Sequence, residues 1–321
     1  MSESSSPARR VAIKGFQLAL TALATWFIFR AVGVQMEDLD ALDMGRWRPD
    51  PPLLIASSVL LFAGFGISAG LWGRLVRDLG GPVIPSATAV RTFLVANLGR
   101  YVPGKFWQIA GLAILARREG VSAPVATGAA IAGQAFAIVG ATLVGGAALL
   151  GGGEEFRTAG SLVILAMLIG VVVASLPGVS RRLTTLWFRL LRSEPPEGVR
   201  LRPGFTPRWV ILYTLNWVVY VVAFRLFVLS FGLPGTFMET APPFAAAYVV
   251  GYVMVFSPAG IGIREGVLTF FLAPVTGQGA AAAVSILARV WTTVVEVLPA
   301  GALWLLDVRR ARRAASGEEA P

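Results

Sequence analysis

The chain has no cysteine and no histidine among its 321 residues. The first absence excludes a disulfide framework, a thiol nucleophile and a thiolate metal site. The second removes the commonest general base and transition-metal ligand. Charged residues make up only 14% of the sequence, and no nucleotide-binding GxxxxGKS/T run occurs. No catalytic residue, metal or cofactor is therefore expected, and much conventional enzymology is excluded.

What the chain has in excess is apolar sequence. It is 55% hydrophobic with a mean hydropathy of +0.70, more than one water-soluble core can bury. An all-α polytopic membrane protein is expected. The formal net charge of +10, from 28 Lys plus Arg against 18 Asp plus Glu, would point to nucleic acid in a soluble protein. Here the basic residues gather in particular connections, where membrane orientation and anionic headgroups account for them, so nucleic acid is not an expected partner. The N-terminus lacks an A-x-A-like cleavage site and its first apolar run exceeds signal-peptide length, so it reads as a retained helix.

A span needs about 20 largely apolar residues. Six stretches qualify: 11–34, 52–73, 121–150, 158–177, 209–233 and 279–306. Arg9, Arg10 and Lys14, the seven Arg of the connection 178–208, and Arg309, Arg310, Arg312 and Arg313 place the flanking segments in the cytoplasm. The connection 35–50, with Glu37, Asp38, Asp40, Asp43 and Asp50 against two Arg, and the surroundings of Glu239 are acidic and belong outside. A multi-pass protein of the cytoplasmic membrane with both termini inside is expected.

Parity then constrains the remainder. Residues 79–120 must leave and return on the cytoplasmic side, and 238–277 on the outer side. The pieces 86–98 and 106–116 would reach only about 18 to 20 Å as helices, against a core of about 30 Å. In the second segment the ascending arm is nearly long enough to span and the descending arm, 266–276, is not. Two re-entrant helical hairpins of opposite entry fit, with ordinary short buried helices as the plainer alternative. One integral membrane domain over 1–313 follows, with halves at about 52–150 and 209–306 arranged as an inverted repeat and 314–321 as a disordered tail.

Both hairpins turn at Gly, Pro and charge. In the first, Asn97-Leu98-Gly99-Arg100-Tyr101-Val102-Pro103-Gly104-Lys105, Pro103 breaks the helix and frees backbone donors between Arg100 and Lys105. A guanidinium fork, an ammonium and free N–H groups suit a phosphate. The alternative is that both cations snorkel to headgroups, and Tyr101 suits either reading. In the second, Ser257-Pro258-Ala259-Gly260-Ile261-Gly262-Ile263-Arg264-Glu265-Gly266, an adjacent cation and anion each need a partner at that depth. Arg289 and Glu296, seven apart on one helix face, offer them. One pairing that neutralises all four is Arg264 with Glu296 and Glu265 with Arg289. Arg225 lies well inside its span and joins the candidate charge network, while Arg30 lies near a helix end. Asn97, Gln134 and Asn216 suit interhelical hydrogen bonds, and the tract from Gly128 to Gly146 suits close helix packing.

The two turns resemble the R-Y-I/V-P-G-K-x-W and P-G-G-I/L-G-x-R-E motifs of the lysylphosphatidylglycerol synthase transmembrane family, with Ala259 where that family often has Gly. The resemblance runs in order and spacing from roughly 12 to 308. It implies a lipid flippase-like protein, stand-alone and without the soluble aminoacyl-transferase domain of the two-domain synthases.

The leading expectation is translocation of an anionic phospholipid or polyprenyl-phosphate-linked lipid. Arg100, Lys105, Arg264 and Arg289, with Asn97 and Tyr101, would form the substrate site, and Glu265, Glu296 and Arg225 the charge or coupling network. An intramembrane lipid-phosphate hydrolase or transferase is the alternative, in which Glu265 or Ser257 would supply base or nucleophile. A third reading is a membrane partner of a glycosyltransferase or other lipid-modifying enzyme, recruited through the connection 178–208.

Overall fold

Backbone amides and carbonyls in hydrocarbon must be satisfied within the protein, and helices do this segment by segment. The computed structural model describes residues 48–101, 106–150, 154–176, 204–253, 260 and 262–316, with isolated positions between 178 and 189. For Tyr101, Phe106 and 307–316 it describes the backbone alone. The described residues form ten α-helices and no strand. The first expected span, 11–34, lies outside them.

Among the described residues, five helices are long and apolar enough to cross a membrane: α1 (Pro51–Asp78), α4 (Ala123–Leu150), α5 (Glu154–Ser175), α6 (Phe205–Ser230) and, over Gln278–Leu306, α10 (Gln278–Ser316). The protein is a multi-pass membrane protein. Between them lie shorter helices: α2 (Ser86–Asn97), α3 (Phe106–Arg117), α7 (Phe237–Thr240), α8 (Pro242–Val253) and α9 (Ile263–Thr276). At 1.5 Å per residue, α2, α3 and α8 reach about 18 Å and α9 about 21 Å, all short of a bilayer core of about 30 Å.

Local chemistry sets the boundaries. Asp50 caps α1 by accepting from Leu53 N at 3.0 Å, and Pro51 and Pro52 open the helix where their missing N–H groups cost nothing. The expected long ascending arm of the second segment is instead split at Ala241. Pro242 and Pro243 cannot donate back into a continuing helix, so α7 ends and α8 begins there. Thr236 and Glu239 close a capping box on α7. The Thr236 backbone N–H and then its hydroxyl hold the Glu239 carboxyl below the usual carboxylate range. That contribution is full above the ordinary value of about 4.3 and fades as pH falls through the lowered one.

The long helices α1 and α6 run antiparallel, as contacts at both ends show. Asp50 N donates to Ser230 O at 2.7 Å, and Arg208 Nη1 lies 3.6 Å from Asp78 Oδ2. Each short-helix excursion also starts and finishes at one level. A Cβ on Gly81 would meet both Val76 and Val125, so the end of α1 lies beside the start of α4. A Cβ on Gly235 would meet Val275, so the chain entering α7 lies beside the end of α9. These contacts gather Arg74, Arg77, Arg117, Arg118 and Arg208 at one end of the bundle, with Asp50 and Glu239 at the other.

The two halves exchange contacts: α4 packs on α8, and α10 packs on α2. Leu94 of α2 shares a buried cluster with Phe227 of α6, Leu272 of α9 and Trp291 of α10, and Trp291 Nε1 donates to Ser58 Oγ at 3.0 Å. Glycines on α4 permit the closest approaches. A Cβ on Gly145 would fall 2.5 Å from Ala246 N, and one on Gly140 would fall 2.9 Å from Thr214 N. Small residues take this role where helices cannot rely on water to drive them together. Gly145→Ala is expected to destabilise the detergent-solubilised protein by about 1–3 kcal/mol of overpacking, read as a lower melting temperature, whereas Gly66→Ala, where nothing lies within 4 Å, should leave it unchanged.

Candidate functional site

A carboxylate that loses its water needs a cation and hydrogen bonds in return. Glu296 on α10 is only 3% exposed, and the guanidinium it meets comes from the other half of the chain. After Asn97, α2 tightens into a 3₁₀ turn, Leu98–Tyr101, which carries Arg100 toward α10. Arg100 Nη1 lies 3.0 Å from Glu296 Oε1 and donates to Oε2 at 3.3 Å. The break that makes this reach possible is held from both sides. Asn97, fully buried, accepts at Oδ1 from Gln108 Nε2 on α3 at 2.6 Å. A Cβ on Gly99 would fall 2.8 Å from Gln108 N, so only glycine lets the two arms approach this closely.

The second turn is built differently. Gly262, with φ of 82°, precedes α9 in a conformation that favours glycine. Glu265 Oε2 accepts from Gly262 N at 2.7 Å and so caps its own helix, while its Oε1 lies 3.8 Å from Arg289 Nε on α10. Arg264 points elsewhere: its guanidinium carbon sits 4.6 Å from the centre of the Tyr248 ring on α8. Tyr248 is fixed in turn, because its hydroxyl accepts from Gln134 Nε2 on α4 at 2.9 Å and its ring lies 4.6 Å from that of Trp217. The stem of Arg264 crosses α8 at Gly251, where a Cβ would fall 2.5 Å from its Cγ. Its buried Nε has no hydrogen-bond partner among the described residues.

The pairing of the two turns thus departs from the one expected. Glu265 meets Arg289, but Glu296 meets Arg100 in place of Arg264. The reason is geometric: the α2 turn inserts against α10, and the Arg264 stem is drawn over Gly251 onto an aromatic face. Arg264 remains within electrostatic reach of Arg289, Arg100 and Glu265. Three guanidinia therefore share this region with two carboxylates, an excess of one positive charge among these five side chains in a setting of low dielectric. Such an excess favours an anion.

Arg225 does not join this group. Its Nη2 donates to Gly235 O at 2.6 Å and its Nη1 to Thr240 Oγ1 at 2.9 Å, so it fastens the connection from α6 to α7. Asn216 Nδ2 donates to Ser68 Oγ at 2.8 Å, and Ser68 also bonds the Tyr220 hydroxyl at 2.9 Å. Tyr220 lies within electrostatic reach of both Arg100 and Glu296. Lys105 and Ser257 lie outside the described residues, and of Tyr101 only the backbone is described. Tyr248, Tyr220, Gln108 and Gly251 were not singled out from the sequence. Gln108 directly follows the first motif, whereas nothing in the sequence around Tyr248 signals that a guanidinium will stack on it.

The sequence matches the family described as Lysylphosphatidylglycerol synthase TM region over residues 16–300. The chain belongs to this family. No curated protein and no solved structure matches it. The two motif-bearing turns of this lysylphosphatidylglycerol synthase transmembrane-region protein are those that supply Arg100 on one side and Arg264 and Glu265 on the other. Membership of the family places the protein in a membrane, lipid-related setting.

Arg100→Ala is expected to cost about 3–5 kcal/mol, because it leaves the Glu296 carboxylate buried without its cation. Adding Glu296→Gln to Arg100→Ala should recover more than half of that loss in melting temperature. Equal melting temperatures for the single and double variants would show that the pair does not tie the halves together.

Proposed function

We propose that the protein carries an anionic lipid across the cytoplasmic membrane, with the headgroup, a phosphate-bearing one, passing the cluster of Arg100, Arg264 and Arg289 while the acyl or prenyl chains stay in the bilayer. The observation that carries this reading is the uneven charge of the cluster. Arg100 and Arg289 each pair with a carboxylate, whereas Arg264 forms no salt bridge among the described residues and stacks on the Tyr248 ring. A cation held without a carboxylate in apolar surroundings marks an ion or substrate path rather than a structural tie. Asn97, Tyr101 and Lys105 stand in the same sequence motif as Arg100, and this reading assigns them to the headgroup as well.

In this reading α2–α3 and α8–α9 are re-entrant hairpins entering from opposite faces. Support comes from their length, from the meeting of their ends beside Gly81 and Gly235, and from the antiparallel run of α1 and α6. The exchanged packing of α4 on α8 and α10 on α2 fits two halves of an inverted repeat. The arginine-bearing end of the bundle faces the cytoplasm by the positive-inside rule, which places the C-terminal end of α10 there as well. Rocking of one half against the other would expose the cluster to each leaflet in turn.

Both interior carboxylates are engaged, Glu296 by Arg100 and Glu265 by Arg289 and its own helix N-terminus. In this reading both are spent on structural ties, and the lipid gradient itself supplies the driving force. Such a tie also leaves Glu265 poorly placed as a general base, which favours a carrier over a hydrolase. Arg264→Ala in proteoliposomes is expected to slow anionic-lipid movement about ten- to a hundredfold, the loss of one charge-assisted hydrogen bond of roughly 1.5–3 kcal/mol. An unchanged rate with intact folding would remove this site assignment.

A further inference from the structure

The charged end of α1 carries a second concave feature, remote from the turns. Gly70, Gly73, Arg74 and Arg77 follow one another at helical spacing, so two bare glycines form a floor and two arginines a rim on one face. The loop entering α2 closes the other wall with Val83 and Ile84, leaving a cavity of about 190 Å³. That is well above the ~10–15 Å³ that a single water needs on the same measure, so a small polar group has room between the arginines and the loop.

The charge in this groove is unbalanced. Asp78 serves two cations, Arg77 Nη2 at 3.6 Å and Arg208 Nη1 at 3.6 Å. Arg74 meets no carboxylate among the described residues. The wall opposite is apolar and open, with Val83 76% exposed. Because α1 crosses the membrane, its last turns lie at the boundary between hydrocarbon and water, where arginine stems run along apolar surface and their heads meet phosphates. A cationic rim facing an exposed valine at that level matches a molecule with an anionic head and an apolar body, and the surrounding bilayer supplies one at high local concentration.

We infer that this groove is a binding site for one anionic phospholipid of the surrounding membrane, its phosphate held between Arg74 and Arg77 and its glycerol against Val83. The site is separate from the interior cluster and stands whether or not lipid crosses the protein. The test is native mass spectrometry of the full chain released from micelles containing equal phosphatidylglycerol and phosphatidylcholine. Wild-type protein and Arg264→Gln should both retain a phosphatidylglycerol adduct. Arg74→Gln/Arg77→Gln should show roughly tenfold lower occupancy, and Val83→Asp a comparable loss, with melting temperatures near wild type because all three side chains are exposed. An adduct that persists in the double variant, equal retention of phosphatidylcholine, or displacement of the lipid by excess inorganic phosphate would each overturn the assignment.

Discussion

A buried glutamate on the last long helix obliges the rest of the molecule to bring it a cation. Glu296 has almost no access to solvent, and an ionised carboxylate in that position costs several kcal/mol unless it is paired and hydrogen-bonded. The cation comes from Arg100, almost two hundred residues earlier, on the turn after α2. For the pair to form, α2 must stop, tighten into a 3₁₀ turn and lie against α10. The Asn97–Gln108 bond and the glycine at position 99 secure that geometry. The pair is therefore a tie between the two halves of the chain, and it fixes where their interrupted helices meet.

The long helices provide the frame around that tie. The antiparallel α1 and α6 cross at a hydrogen-bonded set of Ser68, Asn216 and Tyr220, and Tyr220 looks toward the Arg100–Glu296 pair. Glycines on α4 admit the backbones of α6 and α8 to within contact. On α8, Tyr248 then receives Arg264. Close packing and the charge cluster are one construction: the glycines of α4 bring α8 near enough for Gln134 to hold the ring on which Arg264 rests.

Much of this is legible in the sequence. For the five expected spans that fall within the described residues, the long apolar runs give the helix bounds to within a few residues at most ends, as in 121–150 against Ala123–Leu150. The Pro-Gly turns fixed the short arms of the first pair as closely, 86–98 against Ser86–Asn97 and 106–116 against Phe106–Arg117. The second pair was harder. The Pro242-Pro243 step splits the ascending arm, and α9 begins three residues earlier than expected because Glu265 reaches back to cap Gly262. Charge partners on the same helix could be read from spacing, so Arg289 and Glu296 were found together. The partner of Glu296 is not given by spacing, because Arg100 and Arg264 are equivalent in the sequence, and only the insertion of α2 against α10 distinguishes them. Arg225 was misleading for a related reason: its depth in a span suggested the interior, but a carbonyl and a hydroxyl near the helix end claim it.

In the proposed mechanism an excess positive charge, concentrated where two interrupted helix pairs meet, selects and passes an anionic headgroup. Desolvated, preorganised guanidinia discriminate by charge before they discriminate by shape. The most direct measurement is headgroup selectivity: the ratio of transbilayer rates for phosphatidylglycerol and phosphatidylcholine of matched chains in proteoliposomes, for wild type and Arg264→Gln. A wild-type ratio of about ten or more, falling toward one in the variant, is what a difference of ~1.4 kcal/mol at the cluster predicts. Equal rates for the two lipids in the wild-type protein would contradict it.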